Sequence, residues 1–106
     1  MTDHLPDVYT RFRRDHPDVA AAQDRLAEAV AAAGPLTDRE LRLVKLGIAI
    51  GALAEGSVRS HARRALDSGI PAAAVRQAAL AAISTRGFPA TIAALGWIDQ
   101  VLGDGT

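Results

Sequence analysis

The sequence contains no cysteine. That excludes disulfides, thiolate metal sites and thiol redox chemistry for the chain acting alone. Aromatic residues are few: one Trp, one Tyr and two Phe. Runs of Val, Ile, Thr and aromatics alternating at period two are missing, so strands are not expected. Neither sign of charge is in excess, because 12 Lys and Arg balance 12 Asp and Glu. Zero net charge argues against broad electrostatic attraction to nucleic acid or to an anionic membrane, so neither is an expected partner. Long apolar runs are absent too. In the apolar middle, the uncharged stretch from Leu46 to Ala54 falls far short of the roughly 20 residues that span a bilayer. The opening Met1-Thr-Asp-His-Leu-Pro has no basic segment leading into an apolar run. No secretory signal is visible there, and the expected compartment is the cytoplasm.

What remains is an ordinary foldable composition, 49% hydrophobic and 23% charged over 106 residues, which suits a single domain. Alanine is abundant, and Lys45 is the only lysine. Much alanine with few aromatics implies helices packed closely through small side chains. Leu5, Val8, Tyr9 and Phe12 recur at helical spacing and predict a short first helix. His16-Pro17 ends it, because proline disfavours helical geometry in the residue before it. Val19, Ala22, Leu26, Ala29, Val30 and Ala33 predict a second helix, stopped by Gly34-Pro35. Thr37 to Glu40 reads as a capping box opening a third helix, over about 38–54. That helix is apolar around nearly its whole circumference, which predicts burial on all sides, partly against another subunit. A fourth helix is expected over about 57–68, closed by Gly69. Gly69-Ile-Pro71 and Gly87-Phe-Pro89 repeat one device, a glycine closing a helix and a proline opening the next. They predict helices over about 71–85 and 89–102, with a frayed tail from Gly103. The expectation is an all-α fold of about six helices. Residues 1–35 hold two N-terminal helices, and 36–102 form a helical module.

Within that module the residues resemble a known family. Leu36-Thr-Asp-Arg-Glu-Leu-Arg-Leu-Val-Lys-Leu-Gly-Ile-Ala-Ile, a Gly/Ala-rich turn, Ser60-His-Ala-Arg-Arg-Ala-Leu-Asp-Ser-Gly-Ile-Pro and Ala82-Ile-Ser-Thr-Arg-Gly-Phe-Pro follow one another. Together they resemble the carboxymuconolactone decarboxylase family, related to alkylhydroperoxidase D. The most specific part is His-x-x-x-Ala-Leu-x-x-Gly, here His61 to Gly69. The resemblance implies an alkylhydroperoxidase D-like helical bundle with a central apolar helix. It also implies a subunit that works as a homo-oligomer, a dimer, trimer or hexamer. The peroxidase branch resembles Cys-x-x-Cys-x-x-x-His with an acidic residue upstream. Counted back from His61, the thiol positions fall on Ala54 and Ser57 and the acidic one on Arg42. With no thiolate to attack a peroxide, dithiol peroxidase chemistry is excluded. The decarboxylase branch does not need the thiols.

The residues themselves leave alternatives open. His61 lies on or beside an apolar stripe with Val58, Ala62 and Ala65. It is either an acid/base group or a packed histidine bonded to backbone. Arg42 and Lys45 are one turn apart and share a helix face. They either bind an anionic substrate or pair with Glu40, Glu55 or a neighbouring subunit, since each cation calls for a carboxylate. Ser57, four before His61, either orients the imidazole or a substrate, or caps the fourth helix. Glu55 flanks the same turn. Of the basic run Arg59, Arg63 and Arg64, Arg64 is placed to reach a pocket beside His61; the others suit a solvated face or salt bridges. Trp97 reads as a core or interface aromatic. His4, His16 and His61 lack metal-ligand spacing. A helix-turn-helix reading around Gly69-Ile-Pro71 offers little phosphate or base contact.

These observations and the resemblance lead to one expectation: a cofactor-independent lyase or isomerase acting on a small acidic molecule. His61 would be the catalytic proton donor, and Arg42, Lys45, Glu55, Ser57 and Arg64 would bind the substrate. The alternative is a non-catalytic oligomeric relative that binds a small ligand or serves a structural role.

Overall fold

The structure, a computed structural model, describes residues 7–103. His4, Leu5 and the last three residues of the expected frayed tail lie outside the described residues. Six α-helices and no strand form among the described residues, as the missing period-two pattern predicts: α1 (Asp7–Asp15), α2 (Pro17–Ala31), α3 (Asp38–Gly51), α4 (Glu55–Asp67), α5 (Ala72–Leu80) and α6 (Phe88–Leu102). The chain divides between Thr37 and Asp38 into two compact units.

The first unit pairs α1 with α2. The break falls at His16-Pro17 as expected, with Pro17 in the first turn of α2, where its missing N–H costs nothing. Arg13 ties the helices together. It donates to both carboxylate oxygens of Asp24, at 3.0 and 2.5 Å, and to the Tyr9 hydroxyl at 3.1 Å. The apolar stripe expected on α2 exists but is not buried. Val19, Leu26 and Val30 are exposed, and Ala20 is the one buried residue of α2.

The second unit has the core. Leu46 and Ile50 of α3, Val58 of α4, Val75 of α5 and Ile98 of α6 are completely buried. Each such side chain contributes about 1.5–3 kcal/mol through removal from water. Between them sit buried alanines, Ala49, Ala62, Ala65, Ala79 and Ala94, whose small side chains let the helices approach closely. In α4 the buried set Val58, Ala62, Ala65 follows the 3.6-residue period. Thr91, the buried polar side chain of α6, donates its hydroxyl to the Gly87 carbonyl at 3.0 Å.

Within the chain α3 is covered on one face: Leu46, Ala49 and Ile50 are buried, whereas Val44 and Ile48, on the side the sequence reading assigns to another subunit, are 47% and 66% exposed. Two expectations need correction. First, α3 stops at Gly51, not Ala54. Leu53 takes a left-handed conformation, φ 53°. Its N–H bonds to the Ile50 carbonyl at 2.9 Å, and the Ala54 N–H bonds to the Ala49 carbonyl at 3.0 Å. This is the paired-bond helix stop that usually has glycine at the left-handed position. The chain therefore turns into α4 early. Ala54 occupies the N-cap position, the Val58 N–H bonds to its carbonyl at 2.9 Å, and Ser57 lies inside the first turn and caps nothing. Second, α5 ends at Leu80, not Thr85. The N–H groups of Arg86 and Gly87 then converge on the Ala82 carbonyl at 2.7 and 3.0 Å. By contrast, α4 closes on Gly69 (φ 92°) as its sequence predicts.

Candidate functional site

The most extensive helix pairing of the second unit, α3 against α4, builds the site. Arg42 on α3 reaches His61 on α4, with Arg42 Nη1 2.8 Å from His61 Nδ1. A guanidinium can only donate, so Nδ1 must accept. The ring is then neutral, with its proton on Nε2. The electrostatics agree. Burial first, and then the charges of Arg42, Arg64 and Lys45, push the His61 pKa down to about 4. Arg42 is itself held below its usual value, by burial and then by the nearby Arg64 charge, with Asp38 opposing.

His61 lines a cavity of about 250 Å³ together with Lys45, Ser57, Ile48, Ala49, Ala52 and Ala54. A separate cleft of about 360 Å³ is lined by Asp38, Arg39, Arg42, Arg64 and Ser68. A larger depression, about 450 Å³, is lined by Leu43, Val44, Gly47, Ala74, Gln77, Ala78 and Ala81, none of them titratable. Size alone favours that depression. Chemistry favours the His61 cavity, where a neutral imidazole, an ammonium and a hydroxyl meet between apolar walls.

The expected site residues separate accordingly. Lys45, Ser57 and His61 share the cavity. Arg42 touches the imidazole but lines the neighbouring cleft, as does Arg64. Glu55 is exposed and forms an ion pair with Arg59, whose Nε also donates to Gln100 Oε1 at 3.0 Å. Among the described residues neither Arg42 nor Lys45 forms an ion pair with Glu40 or Glu55: Arg42 meets an imidazole and shares its cleft with Asp38, and Lys45 lines the His61 cavity. Trp97 packs half-buried against the core, as the core reading of it requires. Arg39 and Ser68 escaped the sequence reasoning. Arg39 precedes Arg42 by three, the helical spacing that already linked Arg42 to Lys45.

The reversal at Leu53 explains why Ser57 is available. Its side chain is not needed at the N-cap, and its position four before His61 sets it on the cavity side of α4. Ala54 and Ser57, the positions of the two absent thiols, both line this cavity. A methyl group and a hydroxyl therefore stand in the wall beside the imidazole.

The family model for the carboxymuconolactone decarboxylase family matches residues 17–100. The match extends beyond the 36–102 module into α2. No curated protein and no solved structure matches the chain.

Proposed function

The chain belongs to the carboxymuconolactone decarboxylase family, and we propose that it is a cofactor-independent lyase or isomerase acting on a small carboxylic acid or lactone at the His61 cavity. The observation that carries this is the 2.8 Å Arg42–His61 contact beside a cavity that also holds Lys45 and Ser57. Arg42 occupies Nδ1, which leaves the Nε2–H as the donor the ring offers to a ligand. Loss of carbon dioxide from an unsaturated lactone acid breaks one C–C bond. It leaves the electron pair delocalised onto a carbonyl oxygen until a proton returns to carbon. The chemistry asks for a cation to hold a carboxylate and a donor for the developing oxyanion. Lys45 supplies the first and neutral His61 the second. A neutral imidazole in this role differs from the ordinary acid expected of a histidine with a pKa near 6.5. No organic cofactor enters this scheme.

The competing reading is a non-catalytic relative that binds a small acid. It is favoured by Arg42 standing where the peroxidase branch has its acid, so that no carboxylate is seen to orient His61. Turnover of acidic lactones by wild type and by His61→Ala separates the two. The enzyme reading predicts a loss of about 10²–10⁴-fold in rate with the melting temperature nearly unchanged. Saturable binding of the same acids with no wild-type turnover would favour the binding protein.

The same proposal includes a homo-oligomer. It is supported by large apolar side chains exposed on the second unit: Val44, Ile48, Leu80, Ile83, Phe88 and Ile92.

A further inference from the structure

Arginines elsewhere on this protein form ion pairs: Arg13 with Asp24, Arg14 with Asp15, Arg59 with Glu55 and Arg76 with Asp99. Three others are gathered in one place. Arg39, Arg42 and Arg64 line one cleft of about 360 Å³, and none of them forms an ion pair among the described residues. One carboxylate, the exposed Asp38, shares the cleft. Ser68 gives its hydroxyl proton to the Ala65 carbonyl at 2.9 Å, so the donors that face a ligand are the guanidinium groups. Three like charges set against one carboxylate repel one another, and after burial it is the proximity of Arg64 that disfavours the charged form of Arg42. An anion relieves that repulsion. Guanidinium forks match the oxygen pairs of phosphate and carboxylate groups.

We propose that the Arg39–Arg42–Arg64 cleft is a second binding site, for a small multivalent oxyanion of the phosphate or polycarboxylate kind, and that Arg42 relays its occupancy to His61. Arg42 is the shared wall. It lines the cleft, and its Nη1 donates to Nδ1 of the ring that lines the other cavity. The charges acting on that ring come from α3 (Arg42 and Lys45) and from α4 itself (Arg64). The charged residues of α5 and α6, Arg76 and Asp99, pair with each other at 3.4 Å. An anion in the cleft neutralises two of the three charges that oppose protonation of the imidazole. Binding there therefore makes His61 easier to protonate, and by linkage protonation of His61 tightens the anion. The effect is a control on the state of the imidazole, exerted from outside the cavity that would hold a substrate.

The test needs no turnover, so it stands or falls apart from the proposed reaction. The intact protein is titrated calorimetrically with inorganic phosphate, with citrate and with chloride at matched ionic strength. The His61 ring is followed by NMR from pH 3 to 8 under the same conditions. Saturable binding of phosphate, of citrate or of both is expected, with an upward shift of the His61 titration that chloride does not reproduce. Binding of one probe alone assigns the cleft to that chemistry. Arg39→Gln is expected to weaken binding about tenfold, the loss of a charge-assisted contact. It should leave the anion-free titration of His61 where it is in the wild type. No saturable binding, equal binding by Arg39→Gln, or a His61 titration unmoved by a bound anion would each overturn the proposal.

Discussion

At the scale of single residues, His61 and Arg42 define each other. A histidine bonded through Nδ1 to a guanidinium is kept neutral, and its pKa of about 4 makes folding sensitive to pH in a stated direction. In the unfolded chain the same ring titrates near 6.5. Between those values the unfolded state binds more protons, so stability rises with pH across that interval. This part of the stability is fully present above about pH 6.5 and is lost as the pH falls towards 4. Denaturant midpoints at pH 5 and pH 7 should therefore differ more for wild type than for His61→Asn. Equal differences in the two proteins would show that the ring is not held neutral. The candidates themselves could be found in the sequence. Helical arithmetic links Ser57 to His61 and Arg42 to Lys45. The Arg42–His61 bond was not legible, because it joins two helices across nineteen residues and no local spacing encodes that contact.

At the scale of elements, the reading succeeded where proline and glycine have only one comfortable place. Pro17 opens α2 and Gly69 closes α4 at the positions their backbone preferences dictate. It failed at the α3–α4 turn, where Leu53 takes the conformation that glycine normally supplies. A leucine there resembles the continuation of the apolar helix, so the pattern ran on to Ala54 and left Ser57 as an apparent cap. A left-handed L-residue costs roughly 1–2 kcal/mol. The usual ranking of alanine over glycine should thus invert at this position. Leu53→Gly is expected to be about 1 kcal/mol more stable than Leu53→Ala by chemical denaturation. Alanine equal to or above glycine would mean that the turn is not left-handed in solution. The end of α5 was missed for a different reason. The residues after Leu80 keep an alanine-rich, helix-compatible composition while their N–H groups turn back onto Ala82.

At the scale of the whole molecule, neutrality conceals an uneven distribution. Residues 1–37 carry four basic and six acidic side chains, and residues 38–106 carry eight basic and six acidic. The net-charge argument against polyanions as a class is compatible with a local surplus at the arginine cleft, where three cations meet one carboxylate. The apolar side chains exposed on the second unit call for cover. Sedimentation at micromolar concentration should show at least a dimer, and a clean 11.1 kDa monomer would contradict the oligomer. The claim that joins site to function is that the folded protein holds His61 neutral, with its proton on Nε2, ready to donate to an acidic ligand. Nitrogen NMR of the imidazoles in the intact protein tests it directly, with His61 assigned by comparison with His61→Asn. At pH 7 the account predicts an unprotonated Nδ1, a protonated Nε2 and a titration near pH 4. A proton on Nδ1, or a titration near the ordinary value of about 6.5, would contradict it.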